Sequence, residues 1–395
     1  MTGWPRITVD ELADRVDYGL TASATWDKSG PQFLRITDIQ DGGVNWRTVP
    51  HCSCSPHDLP RYCLQEGDIV FARTGATTGK SYLIRTCPPG TVFASYLIRI
   101  RPSTKVDPRY LAYFFDTPDY WGQVALRAQG AGQPGINASK LKEISLPLPP
   151  LPEQRRIAAI LDQADAVRRK RRQAAEASGE LIPAIFGDRF GDNPADRGYS
   201  VVQLGDCADI VSGVTKGRRF NGQPTLMLPY IRVANVQDGR LDLSEVKTVE
   251  ALPSDLEKYR LQVGDVLLTE GGDYDKLGRG ALWEGQVDDC IHQNHIFRVR
   301  ADWAKLLPIF FANYLQTAFA KAYFLRCAKK TTNLATINMR QLRALPVPLP
   351  PLSEQQDFQE EVAVVRDLDG KCAAAFDQSD GLFAALVQRA FRGEL

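Results

Sequence analysis

The chain has 395 residues, long enough for two or three domains with cores of their own. With 44% hydrophobic, 24% charged and 9% aromatic residues it has an ordinary globular composition, and no run approaches the roughly 18 apolar residues of a membrane span. The net charge of +1 signals no nucleic-acid partner by itself, and eight scattered cysteines with no apolar leader lead us to expect a cytoplasmic chain.

In chain order the first cluster is "HCSCSPHDLPRYC". His51, Cys52, Cys54, His57 and Cys63 are enough ligands for a tetrahedral zinc ion, but their spacing fits no standard zinc framework and the second half has no counterpart. Free thiols on a loop are the plainer reading, so no metal is expected. "DIVFARTGATTGKSYLIRT" (Asp68 to Thr86) follows, with Gly75, Gly79, Lys80 and Ser81 imitating a phosphate-binding loop. Only Ala76, Thr77 and Thr78 separate the glycines, one residue too few, and a β-favouring run follows instead of a helix. The pattern reads as strand, Gly-rich turn, strand.

Short helical patterns come next in "PRYLAYFFDTPDYWGQV", then the Gly-rich "RAQGAGQPGIN" and the hinge "INASKLKEISLPLPPLPEQRRI" (136–157). Pro152, Glu153 and Gln154 read as a helix start, with Glu153 near the positive end of the dipole. This central helix reaches about Ile185, and Gly179 and Pro183 place a break in its last turn.

The second half repeats the plan. "INMRQLRALPVPLPPLSEQQDF" (337–358) aligns with the first hinge at an offset of 201, without a gap and with ten of twenty-two positions identical. "RITDIQDG" (Arg35 to Gly42) matches "RVANVQDG" (Arg232 to Gly239), and "LQEGDIVFARTG" (Leu64 to Gly75) matches "LQVGDVLLTEGG" (Leu261 to Gly272), both at offset 197. The chain is a tandem duplication. "LLPIFFANYLQTAFAKAYF" supplies the second pair of short helices, and Ser353 is the expected N-cap of a distal helix, followed by Glu354 and Gln355.

A heptad-like stripe runs along that helix through Phe358, Val362, Val365, Asp369, Cys372, Phe376, Ser379, Phe383, Leu386 and Ala390. The same offset gives Ile157, Leu161, Ala164, Arg168, Arg171, Ala175, Ser178, Ile182 and Ile185 on the central helix. Spacings of four and three sustained this long favour a coiled-coil pair over two separate amphipathic helices. Arg168, Arg171 and Asp369 interrupt the stripe, which leaves an opposite-sign pair across an antiparallel seam open. From Glu354 to Leu395 there are nine acidic residues against four basic, so the near-neutral total hides basic excess elsewhere.

The doubled Ile-Asn-x3-Leu…Pro-Leu-Pro-Pro-Leu-x-Glu-Gln hinge, heading a long helix in each half, resembles the specificity subunits of type I restriction-modification systems. The resemblance covers essentially the whole chain. It implies an α+β fold of two pseudo-repeated α/β target-recognition domains, 1–150 and 188–350, separated and bridged by two long antiparallel coiled-coil helices. These are a central spacer at 151–187 and a distal helix at 351–395. It further implies a non-catalytic subunit that reads split double-stranded DNA and needs no cofactor. Two methyltransferase subunits would dock on the helices, at Glu153, Gln154, Glu354 and Gln355, and a translocating nuclease would join them.

In that light the Gly-rich hairpin resembles a DNA-contacting loop, because Lys and Arg neutralise phosphates while Gly and Thr let the backbone approach. The first half offers Arg73, Thr74, Thr77, Thr78 and Lys80, with Arg127 and Gln133 before its hinge. The second offers Lys216, Arg218 and Arg219 in "TKGRRF", Lys276 and Arg279 in "EGGDYDKLGRG", and Lys329, Lys330 and Thr331 before its hinge. His292 and His295 in "HQNH" read as a satisfied or DNA-facing pair. No Asn/Asp-Pro-Pro-aromatic motif of a methyltransferase is present, and Glu245-Val246-Lys247 lacks a suitable partner Asp for a nuclease. A hidden metal-dependent nuclease and a protein-binding scaffold are the competing readings.

Overall fold

Short runs of β-branched and large apolar residues in each half pair into one four-stranded antiparallel sheet. In the computed structural model, which describes residues 3–40, 42–75, 77–127, 135–191, 197–272, 277–330 and 335–395, the first sheet comprises β1 (Ala13–Tyr18), β2 (Ile69–Ala72), β3 (Ser81–Leu83) and β4 (Leu97–Pro102). The second comprises β5 (Ala208–Ser212), β6 (Asp265–Thr269), β7 (Gly280–Leu282) and β8 (Ile296–Ala301). Their orders, β1-β4-β2-β3 and β5-β8-β6-β7, are the same. The chain divides into two compact units, Met1–Gln173 with Ala373–Leu395, and Ala174–Cys372, each holding one sheet.

Both faces of each sheet are covered, which is why Ile69–Ala72 and residues 266–268 read as unbroken apolar runs, whereas β4 and β8 carry Arg99, Arg101, Arg298 and Arg300 at alternate positions. Ile69 and Phe71 join Ile98, Ile100 and the helices on one face, while Val70 packs with Leu34, Phe93 and Leu97 on the other. In the second unit Val266 and Leu268 face the helices, and Leu267 joins Ile231, Trp283 and Ile296. The helical layers are α1 (Pro108–Phe114) and α2 (Pro118–Arg127) in the first unit, with α5 (Pro308–Tyr314) and α6 (Ala318–Cys327) in the second.

The Ile-Asn-x3-Leu motif is a capped turn of helix pinned by two buried side chains. Asn137 accepts from the Lys140 amide and Asn338 from the Gln341 amide, capping Ala138–Lys142 and Met339–Arg343. Ile136, Leu141, Ile337 and Leu342 are buried. The prolines that follow form edge strands, Ser145–Pro147 against Arg6–Thr8 and Pro346–Leu349 against Ser200–Gln203.

The long helices are α3 (Leu151–Gly179), α4 (Leu181–Phe190) and α7 (Leu352–Phe391), the last with 40 residues. The expected break falls at Glu180, after which Pro183 sits in the first turn of α4, where no amide hydrogen is needed. Ser353 is not the N-cap that was expected, because α7 already begins at Leu352. The carbonyl of Pro351 accepts from Glu354 and Gln355, as that of Pro150 does from Glu153 and Gln154.

In the first unit Ile157 and Leu161 of α3 share a core with Phe383, Val387 and Ala390 of α7. In the second, Phe186 and Phe190 of α4 share one with Phe358 and Val362. The early central helix thus meets the late distal helix, and the reverse, so the pairing is antiparallel. Every residue of the distal stripe is buried or half-buried. The opposite-sign pair across the seam uses Asp380 rather than Asp369, with Arg168 3.4 Å from it and 4.1 Å over the Phe383 ring. Arg171 donates to the Ala375 carbonyl. No helix among the described residues is long and apolar enough to cross a membrane.

Candidate nucleic-acid interface

The first hairpin explains its glycines by turn geometry. Gly75 and Gly79 have φ of 82° and 85°, the left-handed region that a Cβ disfavours. The Gly79 amide donates to Ala72 O at 2.9 Å, Lys80 N to Thr77 O at 2.9 Å, and the Thr78 hydroxyl to Gly75 O at 2.7 Å. These bonds close β2 onto β3, and no helix follows to present amides to a phosphate. Helix α2 holds the loop in place, because the Tyr120 hydroxyl donates to Gly79 O at 2.6 Å. Gly79 also lies against Trp121 and Val124 so closely that a Cβ would sit 3.2 Å from each.

Lys80 and Thr74 are exposed, and Thr77 is half-buried. Arg73 is half-buried, its guanidinium 5.1 Å over the Tyr18 ring and donating to Ser95 O at 3.4 Å. Thr74 bridges to Gly135, which brings the hairpin loop against the segment that leads into the hinge. Arg127 turns away to Glu143 at 3.5 Å and to Gln123 O, so its charge is largely used within the fold. Gln133 lies outside the described residues. A groove of about 550 Å³ separates the loop from the basic part of α3, lined by Thr77, Lys80, Tyr82, Trp121, Arg169 and Arg172.

The second unit builds the same junction more firmly. Gly271–Gly272, just after β6, pairs with Ala335–Thr336, which in turn pairs with Lys329–Lys330. Lys216 and Arg219 are exposed, whereas Arg218 is held by Asp255 and lies 5.5 Å over the Phe220 ring. With that guanidinium beside it, the Asp255 carboxyl sits below its usual range despite partial burial, which alone would raise it. Arg279 donates to the Gln237 side chain at 3.1 Å. Lys276 and Thr331 lie outside the described residues. Sequence reasoning missed Glu270 beside His295, and Tyr18 beneath Arg73; laying the halves over one another at offset 197 would have flagged Glu270, which stands where Arg73 stands.

The hinge glutamines are interior groups. Gln154 and Gln355 are 1% and 0% exposed, so neither offers a surface to a partner. Gln154 accepts from the Asp107 amide at 2.8 Å and donates to Lys105 O and Pro149 O. Gln355 repeats this with the Leu307 amide, Lys305 O and Pro350 O. Each amide locks a long helix to the helical layer of its own unit. The neighbouring carboxylates are half-buried, Glu153 paired with Arg156 at 2.7 Å and Glu354 accepting from the Tyr199 hydroxyl at 2.8 Å.

Among the described residues no group of three or more His, Cys, Asp or Glu side chains is placed to hold a metal ion. His51 bonds to Gly30 O at 2.7 Å, the His57 side chain is fully exposed, and burial pushes the Cys52 thiol up to about 11.

The model of the type I restriction modification DNA specificity domain matches residues 57–177 and 196–363. The type I restriction enzyme EcoKI specificity subunit of Escherichia coli (strain K12) is 23% identical over 425 aligned positions, spanning 100% of this chain and 89% of the relative. The StySPI specificity subunit of Salmonella potsdam is 25% identical over 396, spanning 92% and 82%. Two solved structures share the fold. One, from work on complex assembly and conformational transition of the type I R-M system, has a TM-score of 0.61 at 21% identity, covering 100% of this chain and 99% of that one. The other, the S subunit from M. genitalium, has 0.54 at 13%, covering 98% and 96%. With the family model spanning well over half of the residues, the chain belongs to the type I restriction-modification DNA specificity family.

Proposed function

We propose that this protein is the non-catalytic, sequence-reading subunit of a type I complex, with each unit reading one part of a split double-stranded DNA target. One observation carries the reading. The same strand order delivers a Gly-rich loop to the same junction before the hinge in both units, while the loop side chains differ. A retained scaffold with divergent loops is what two independent readers of different sequences need. Exposed Lys80, Lys216 and Arg219 suit phosphate contacts, whereas Arg127 and Arg218 serve the fold first. Double-stranded DNA and the modification and restriction subunits are the partners. Two methyltransferase copies would dock at the duplicated hinge, beside Glu153 and Glu354.

The test is methylation mapping in cells expressing the chain with its methyltransferase subunit. Replacing residues 200–335 with the matching segment of a relative should change one half-site and leave the other intact. A change in both together would defeat the two-reader reading.

A further inference from the structure

The two repeats make the same backbone bonds after the inner hairpin strand but place different side chains there. The amide of Arg73 donates to Tyr96 O at 3.3 Å and its carbonyl accepts from Ile136 N at 3.0 Å. The amide of Glu270 donates to His295 O at 2.9 Å and its carbonyl accepts from Ile337 N at 2.9 Å. Both residues follow the inner strand of the hairpin directly, β2 in one unit and β6 in the other. The backbone job is therefore identical, yet one side chain is a cation and the other an anion.

Scaffold pairs behave differently. Arg101 grips Asp68 with two bonds of 2.7 Å, and Arg300 grips Asp265 with bonds of 2.7 and 2.8 Å. The fold keeps its ion pairs through the duplication. It does not need a particular charge at 73 and 270.

Each of the two side chains is also held by a neighbour that suits it. Arg73 lies over Tyr18, whose hydroxyl is fixed by the Ala138 amide at 3.0 Å. Glu270 Oε2 is 2.7 Å from His295 Nδ1, with the imidazole 56% exposed. A carboxylate beside DNA is repelled by phosphate, so the place where it helps is against a base that presents hydrogen. In the major groove those hydrogens are the amino groups of cytosine and adenine. Arg73, a donor alone, matches the O6 and N7 acceptors of guanine.

Resting on the proposed DNA-reading role, we propose that positions 73 and 270 are equivalent base-reading positions of opposite sign. Arg73 selects guanine in the first half-site. Glu270, oriented by His295, selects an amino-bearing base, cytosine or adenine, in the second. The pair of contacts makes the split target asymmetric.

The test uses the complete complex with its methyltransferase subunit, read by methylation mapping and by competition among duplexes carrying all four bases at each half-site position. E270M, which keeps the length of the side chain but removes both acceptor oxygens, should weaken the preference for the amino-bearing base about tenfold or more and leave the first half-site intact, the scale of one good base contact. The double variant R73E/Y96H, at a half-buried and an exposed position, should exchange guanine for an amino-bearing base in the first half-site only. Competition binding reads the same preference if a variant binds but does not support methylation. Unchanged base preference in E270M and R73E/Y96H, with both half-sites still recognised, would overturn the assignment while leaving the two-reader function standing. A parent complex that shows no sequence preference at all would instead remove the function on which it rests.

Discussion

The two units bury the same arginine in different company. Arg99 is fully buried and every part of its guanidinium is engaged, with Asp17 at 3.0 and 2.7 Å, Cys63 O at 2.8 Å and Arg61 O at 2.9 Å. It also lies 4.9 Å over the Phe93 ring. Arg298, at the equivalent place on β8, has one bond of 2.5 Å to Asp209, and that carboxylate is 61% exposed. Its Nε finds no partner among the described residues, and where Phe93 stood there is His292, whose Nδ1 has none either. A buried charge stabilises only when its desolvation is repaid by complete hydrogen bonding. The first unit satisfies that condition and the second does so in part, so the shared topology does not imply shared robustness.

The largest expected effect separates the two arginines. Arg99→Met takes away the bidentate partner of Asp17 and one donor each from the Cys63 and Arg61 carbonyls, while Asp68 keeps Arg101, and should cost about 3–5 kcal/mol, the scale of a broken buried pair. Arg298→Met removes a single bond and should cost about 1–2 kcal/mol. Hydrogen exchange of β4 and β8 in the two variants measures each locally, and equal losses would break the comparison.

Acid should find the second unit first. Burial, and then the Arg298 charge, depress His292 to about 3. The unfolded chain, with an ordinary value near 6.5, takes up the proton before the folded one does. The neutral-histidine contribution is therefore complete above about pH 6.5 and declines as pH falls toward 3, by roughly 3 kcal/mol at pH 4. His292→Phe, which installs the first unit's residue, should flatten that decline in unfolding measured across pH. A variant that tracks the parent would show that another group sets the acid limit.

The hinge glutamines should behave alike, which makes them the internal control. Gln154→Ala and Gln355→Ala each strand one amide hydrogen and two carbonyls and should cost about 2–3 kcal/mol. Unfolding midpoints that move by clearly different amounts would mean the latches are not equivalent.

The smallest effect concerns the surface. Lys80→Ala should lower the salt dependence of DNA binding by about one phosphate contact without changing the preferred sequence. Arg127→Ala, whose charge is already held by Glu143, should leave that slope in place. Binding isotherms at several salt concentrations distinguish the two.

Much of this architecture is legible in the sequence. The duplicated hinge, the place of each long helix to within a residue or two, the break near Gly179 and the heptad stripe follow from local rules, because proline, an Asn cap and apolar periodicity act over a few residues. The hairpin glycines were legible for the same reason, since a left-handed turn is a property of the residue itself.

What the linear pattern left open was the use of each polar side chain. Arg127 and Lys80 look alike in sequence, yet one meets Glu143 and the other meets water. Gln154 follows a surface-looking Glu153, but chain folding returns the Lys105 and Asp107 backbone to it across some fifty residues. The sequence by itself determined the repeat, the helices and the turns, because those depend on neighbours in the chain. Which charges are spent inside the protein, and that Arg73 and Glu270 make the same two backbone bonds in their units, was decided only by the tertiary structure, because hydrogen bonding and desolvation depend on neighbours in space.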